Sequence, residues 1–138
     1  MAIYNITYRN KENEKLIDQE MGIAYGLIEK IKLNGIGSRR LTIENLSPNI
    51  QHLALKVSGI QYANIELRPK GVIIHVNQGV YTHAWTIPFY HLNIYNGDYF
   101  TIHGAGRFIQ FNKEKCWKEN KKFIKKLVSL KSKANTSQ

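Results

Sequence analysis

Four of the five histidines of this 138-residue chain, His75, His83, His91 and His103, lie in one stretch of short apolar-alternating segments. Their spacing limits what they can hold. No HxH, HxxxH or CxxC pattern occurs, so the local ligand pairs from which zinc sites are built are missing. A three-residue loop at Gln78 to Val80 would set His75 opposite His83, which supplies two ligands and no third. Between Asn45 and Asn112 the only carboxylates are Glu66 and Asp98. Asp98 falls in a turn, so paired-carboxylate acid–base chemistry has no material. Cys116 is the single cysteine; beside Trp117 on a helix it reads as a small buried hydrophobe rather than as the nucleophile of a Cys–His pair. Gly104-Ala105-Gly106 lacks both the third glycine and the lysine of a phosphate-cradling loop. The chain is therefore read as a non-enzyme, with no cofactor and no metal.

What remains is material for binding. Tyr81, His83 and Trp85 share one strand face, and Tyr99 and His103 share another. Exposed, such faces suit protein contact or base stacking; buried, they are core. The second candidate is charge. The formal net charge is +10, yet residues 113–138 alone hold nine lysines against Glu114 and Glu119, a net +7. Lys115, Lys118, Lys122, Lys125 and Lys126 fall on one arc of a helix, where they read as a solvated face. The alternative is a weak, sequence-independent contact with nucleic-acid phosphates or another anionic surface. Protein is the first expected partner.

The elements that must position these residues are short strands. Ala63 to Arg68, Val72 to Asn77, Val80 to Ile87, Phe89 to Tyr95, Tyr99 to His103 and Arg107 to Asn112 are each rich in β-branched and aromatic residues. Pro69-Lys70-Gly71, Gln78-Gly79, Asn96-Gly97 and Gly104-Ala105-Gly106 separate them as turns. The Pro69-Lys70-Gly71 turn has two forms: a two-residue loop places Leu67 beside Val72 and Ile65 beside Ile74, whereas a type I turn with a Gly71 bulge sets Ile65 opposite His75, and the first gives the better apolar match. Asn96-Gly97 as a two-residue turn pairs Tyr95 with Asp98, so that Ile94 faces Tyr99 and Leu92 faces Thr101.

Upstream, Ile3 to Tyr8 alternates as a short strand, and Arg40 to Asn45 as another. From Lys11 to Leu33, Ile17, Met21, Ala24, Ile28 and Ile31 recur at helical spacing, as one core-facing stripe or as the seam of a homo-oligomer. Against a single helix stand Gly22 and Gly26, each costing about 1 kcal/mol in a helix interior, and Leu27 to Leu33 also alternates like a strand. Ser47, Pro48, Ile50, Leu53, Ala54, Val57 and Gly59 carry the start, face and stop of a helix. After Asn112, an N-cap candidate, Trp117, Phe123, Ile124, Leu127, Val128 and Leu130 form the apolar arc of an amphipathic helix to about Lys131.

Six or seven consecutive antiparallel strands followed by one C-terminal amphipathic helix, with Trp117 near its start, resemble the pleckstrin-homology-like barrel. The stretch Trp85-Thr-Ile-Pro-Phe89 to Phe111 and the helix after it look like short bacterial proteins of that type. The resemblance covers residues 40–131. It implies a barrel whose open end is plugged by the helix through Trp117. The chain departs from the family in the extra helix at Pro48 to Ser58 and in lacking the basic pattern that grips inositol phosphates in the first hairpin. The expected fold class is thus α+β: a small bent sheet or barrel, a C-terminal helix and N-terminal helical segments. One domain spans 1–138, with a helical extension at 1–39, barrel and helix at 40–131, and a disordered tail at 132–138. The lone cysteine and the absence of a signal-peptide pattern point to the cytoplasm, and no run of about 18 apolar residues marks a membrane span. The expected function is a non-enzymatic binding or scaffolding module; the alternative, a small-ligand-binding protein or enzyme, would need a deep pocket with convergent polar groups, which the sequence does not advertise.

Overall fold

The structure is a computed structural model that describes residues 2–114 and 116–136. Eight antiparallel strands form one sheet: β1 (Ile3–Asn5), β2 (Leu41–Leu46), β3 (Tyr62–Arg68), β4 (Gly71–Gln78), β5 (Tyr81–Pro88), β6 (Leu92–Asn96), β7 (Phe100–Gly104) and β8 (Arg107–Phe111), in spatial order β1-β5-β4-β3-β2-β8-β7-β6. The strand count exceeds the expected six or seven because both upstream segments join the ladder. β1 pairs with β5, while β2 links β3 to β8 and fuses two hairpin systems. A bulge between Ile43 and Asn45 interrupts β2, the kind of irregularity that bends a sheet. The sheet is open, with β1 and β6 as its edges.

Alternation decides what lies within. Ile65, Leu67, Val72, Ile74, Val76, Trp85 and Ile87 meet Leu92, Phe100, Ile102, Ile109 and Phe111 in one core. The C-terminal helix α3 (Trp117–Thr136) covers that core with Trp117, Phe123, Ile124 and Leu127. Asn120, fully buried, fastens α3 to the entry of β2: its Oδ1 accepts from Arg39 N at 2.9 Å, and its Nδ2 donates to the carbonyls of Arg40 (3.2 Å) and Cys116 (2.8 Å). Every hydrogen-bonding group of that amide except one lone pair is thereby used.

Several expectations change. Residues 11–33 are not one helix: α1 (Lys11–Met21) stops at Gly22, whose φ of 82° is the left-handed region, and α2 (Leu27–Lys32) starts afresh after Gly26. The stripe is split accordingly. Ile17 and Met21 pack on Ile73 and Ala84 across the outer face of β4 and β5, whereas Ile28 and Ile31 are exposed. The segment after Ser47 is a 3₁₀ turn, Pro48–Leu53, that ends well short of Gly59 and leaves Val57 exposed. Asn112 caps no helix; its Oδ1 accepts from Glu114 N at 3.3 Å, and α3 starts at Trp117. α3 runs past Lys131 to Thr136, while Ser137 and Gln138 of the expected tail lie outside the described residues, as does Lys115 of the lysine arc.

Turn chemistry explains the registers. Leu67 pairs with Val72 and Ile65 with Ile74, as the apolar match requires. The β4–β5 loop has two residues, Gly79-Val80, with Gln78 opposite Tyr81. Gly79 takes φ 62° and Val80 stays at negative φ, the pattern of a type II′ turn. His75 therefore faces Ala84, not His83. Asn96-Gly97 is not a two-residue turn either: Asn96 pairs with Phe100 and Ile94 with Ile102. This register gives the hairpin one apolar face, Leu92, Ile94, Phe100 and Ile102, which the shorter loop would have mixed with Tyr99 and Thr101.

At Gly71, α1 and β5 both crowd β4. A Cβ there would lie 2.2 Å from Ile87 O and 2.7 Å from Met21 Cε. Gly71→Ala is expected to cost about 1–3 kcal/mol by overpacking, read as a lower urea midpoint. An unchanged midpoint would mean that neither β5 nor α1 is packed tightly against this corner.

Candidate functional site

The sequence-derived binding residues do not form one site. Trp85 is fully buried, His83 half-buried and Tyr81 exposed, so their shared strand face runs from core to surface along β5. His83 Nε2 lies 2.9 Å from Gln78 Oε1, and Gln78 Nε2 donates to the carbonyls of His52 and Ala54, which makes His83 part of the closure at that end of the core. Burial pushes its imidazole pKa down, and the nearby His52 adds to the effect. Tyr99 sits in the β6–β7 loop, 41% exposed, and His103 is half-buried on β7 opposite Asn93. Among the described residues no group of three His, Cys, Asp or Glu side chains converges as a metal site.

The lysines divide in the same way. Lys118, Lys122 and Lys125 are exposed on α3. Lys126 is not free: its Nζ donates to the carbonyls of Leu33 (2.6 Å), Asn34 (3.2 Å) and Gly35 (2.7 Å), the unpaired acceptors after α2. Burial lowers its pKa. Lys126 is thus held against the segment after α2, apart from the exposed Lys118, Lys122 and Lys125.

One further site was not among the expected ones. A half-open cleft of about 520 Å³ lies between α1 and the outer face of β3, β4 and β5. Its apolar floor is Ile6, Ile17, Ile73 and Ala84; Tyr8, Arg9, Asn10 and Asn13 line its rim. Into one wall is set a chain of ionic groups. Arg68 Nε donates to Glu66 Oε2 at 2.6 Å, while Arg68 Nη1 donates to Asp18 Oδ1 at 3.0 Å and to Gly22 O at 2.9 Å. His75 Nε2 lies 2.9 Å from Glu66 Oε1. Since a carboxylate only accepts, Nε2 is the nitrogen that carries the proton.

Arg68 and Glu66 are the desolvated pair, with side chains 12% and 22% exposed. Burial by itself pushes the Glu66 carboxyl pKa up, but hydrogen bonds from His75 and Arg68, together with their charges, outweigh it and hold the group below its usual value. Burial likewise acts to lower the Arg68 pKa, and the hydrogen bonds and charges of Glu66 and Asp18 reverse that. Asp18 is 46% exposed, so its share is screened by water.

A signal for this cleft existed in the sequence. Asn64, Glu66 and Arg68 alternate with apolar residues along β3, and the Pro69-Lys70 register sets Asn64 opposite His75, with Glu66 one diagonal away. Asp18 gave no such signal, since α1 reaches it only through tertiary packing. The cleft wall holds a general-base candidate, but its lining contains no Ser, Thr, Cys or Lys nucleophile. No family model, curated protein or solved structure matches the chain.

Proposed function

We propose that this chain is a non-enzymatic binding module, built like a pleckstrin-homology-like barrel, that takes a segment of a partner protein in the cleft between α1 and the sheet. The observation that carries the reading is the composition of that cleft. An apolar floor beside polar rim residues suits a peptide, whose side chains need burial and whose backbone needs hydrogen bonds. Both oxygens of Glu66 are already occupied, by Arg68 and His75, which favours holding over proton transfer. Kinship with the barrel rests on the meander followed by α3 with its buried Trp117; the open sheet edges and the N-terminal helices are departures from it.

Charge selects the ligand. The cleft brings Glu14, Asp18 and Glu66 together with Arg9 and Arg68, an acidic excess in a strongly basic chain. A peptide carrying a lysine or arginine is the complementary partner. Nuclear magnetic resonance titration with a short lysine-containing peptide should move the amides of α1 and β3, a glutamate-containing one should not, and Asp18→Asn should weaken the complex about ten-fold. Amide signals around the cleft that ignore both peptides would defeat the proposal.

A further inference from the structure

Away from the cleft, α2 is built the wrong way round for a core helix. None of its residues is buried. Leu27, Ile28 and Ile31, with Ile23 just before the helix, are 68–75% exposed. At helical spacing Leu27, Ile31 and Ile28 cover an arc of about 100°, with Lys30 on one flank and Lys32 on the other. Glu29 lies on the far side, where its Oε2 accepts from Gly26 N at 2.7 Å. The segment is held from behind: Tyr25 and Ile36 pack on the main core, and Lys126 binds the carbonyls after the helix. The outward face is therefore apolar by construction and not through fraying.

The C-terminal end of α2 adjoins the basic side of α3. Arg39, Lys122 and Lys126 meet Leu33 and Asn34 around a cavity of about 330 Å³, with Glu119 as the carboxylate on its wall. Lys30, Lys32, Arg39, Lys122 and Lys126 against Glu29 and Glu119 leave the region positive. From this geometry we infer that α2 is an anchor for an anionic lipid surface: Ile23, Leu27, Ile28 and Ile31 enter the acyl boundary while Lys30 and Lys32, backed by Lys122, meet the headgroups. A lipid interface is the occupant that satisfies both halves of the feature, burying the apolar arc and neutralising its flanks. A second copy would set the same positive charges against one another, and four side chains fall short of the ~800 Å² per partner of a stable interface. A nucleic acid would leave the isoleucines in water. The site differs from the α1 cleft and is independent of its ligand.

Flotation of the full chain with vesicles of equal parts phosphatidylserine and phosphatidylcholine, and with phosphatidylcholine alone, tests this. The chain should float with the mixed vesicles at low ionic strength and not with the neutral ones. Lys30→Gln with Lys32→Gln should lower the partition about thirty-fold. Ile28→Ser with Ile31→Ser should abolish it, and because neither residue is buried, both variants keep the fold, checked by an unchanged melting curve. Any of three results would overturn the inference. They are no flotation of the wild type, flotation that survives loss of the isoleucines, and isoleucine variants that instead convert a sedimenting dimer to monomer or release a bound duplex oligonucleotide.

Discussion

Trp117→Ala is expected to destabilise the protein by about 3–5 kcal/mol, the range for emptying a buried aromatic site. Trp117 is 9% exposed, its ring centroid is 5.3 Å from that of Phe100, and Lys113 Nζ lies 5.1 Å from its ring centre on the water side. It is also the first residue of α3, so the void would open where the helix meets the β7–β8 half of the sheet. Phe123, Ile124 and Leu127 follow on the same face and cannot slide to fill the gap while Asn120 is tied to Arg39 and Arg40. Urea unfolding gives the answer directly. A midpoint unmoved by the substitution would mean that α3 is an appendage and that the sheet supplies its own core.

Arg68→Met should cost about 3 kcal/mol near neutral pH, because it leaves Glu66 charged and partly desolvated with His75 as its remaining partner. The pH dependence identifies the cause. In the wild type the Glu66 carboxyl is held below its usual value, so its contribution is present above the unfolded value of about 4.3 and is lost as pH falls through the lower folded value. Without Arg68 the opposing effect of burial is less compensated, and that contribution largely disappears. The gap between variant and wild type should therefore be full above pH ~5 and narrow below pH ~4, where Glu66 is protonated in both unfolded chains. A gap that stays constant across this range would show that Arg68 acts through packing and through its bond to Gly22 O, not through Glu66.

The sequence determined by itself whatever depends on neighbours along the chain. Alternation placed β2 to β8 within a few residues, since period-2 patterning shows which segments can lie half-buried. At Pro69-Lys70-Gly71 two turn forms were open, and the apolar match of Ile65 and Leu67 with Ile74 and Val72 favoured the register that forms. The apolar arc of α3, and Trp117 within it, followed from the 3.6-residue period, except that Val128 lies at its exposed margin. Tertiary structure alone decided the rest. Ile17 and Met21 belong to the same helical spacing as Ile28 and Ile31, yet only the first pair meets a sheet face, and Gly22 at φ 82° makes the break between them. The β6–β7 loop took three residues where Asn-Gly suggested two, because burying Phe100 and Ile102 outweighs the preference of a turn. Lys126 became a cap for carbonyls far away in sequence. Glu66, Arg68 and His75 are brought together by the β3–β4 register, but Asp18 joined them only when α1 docked on the sheet, a contact between segments about 50 residues apart that periodicity, a local property, cannot encode.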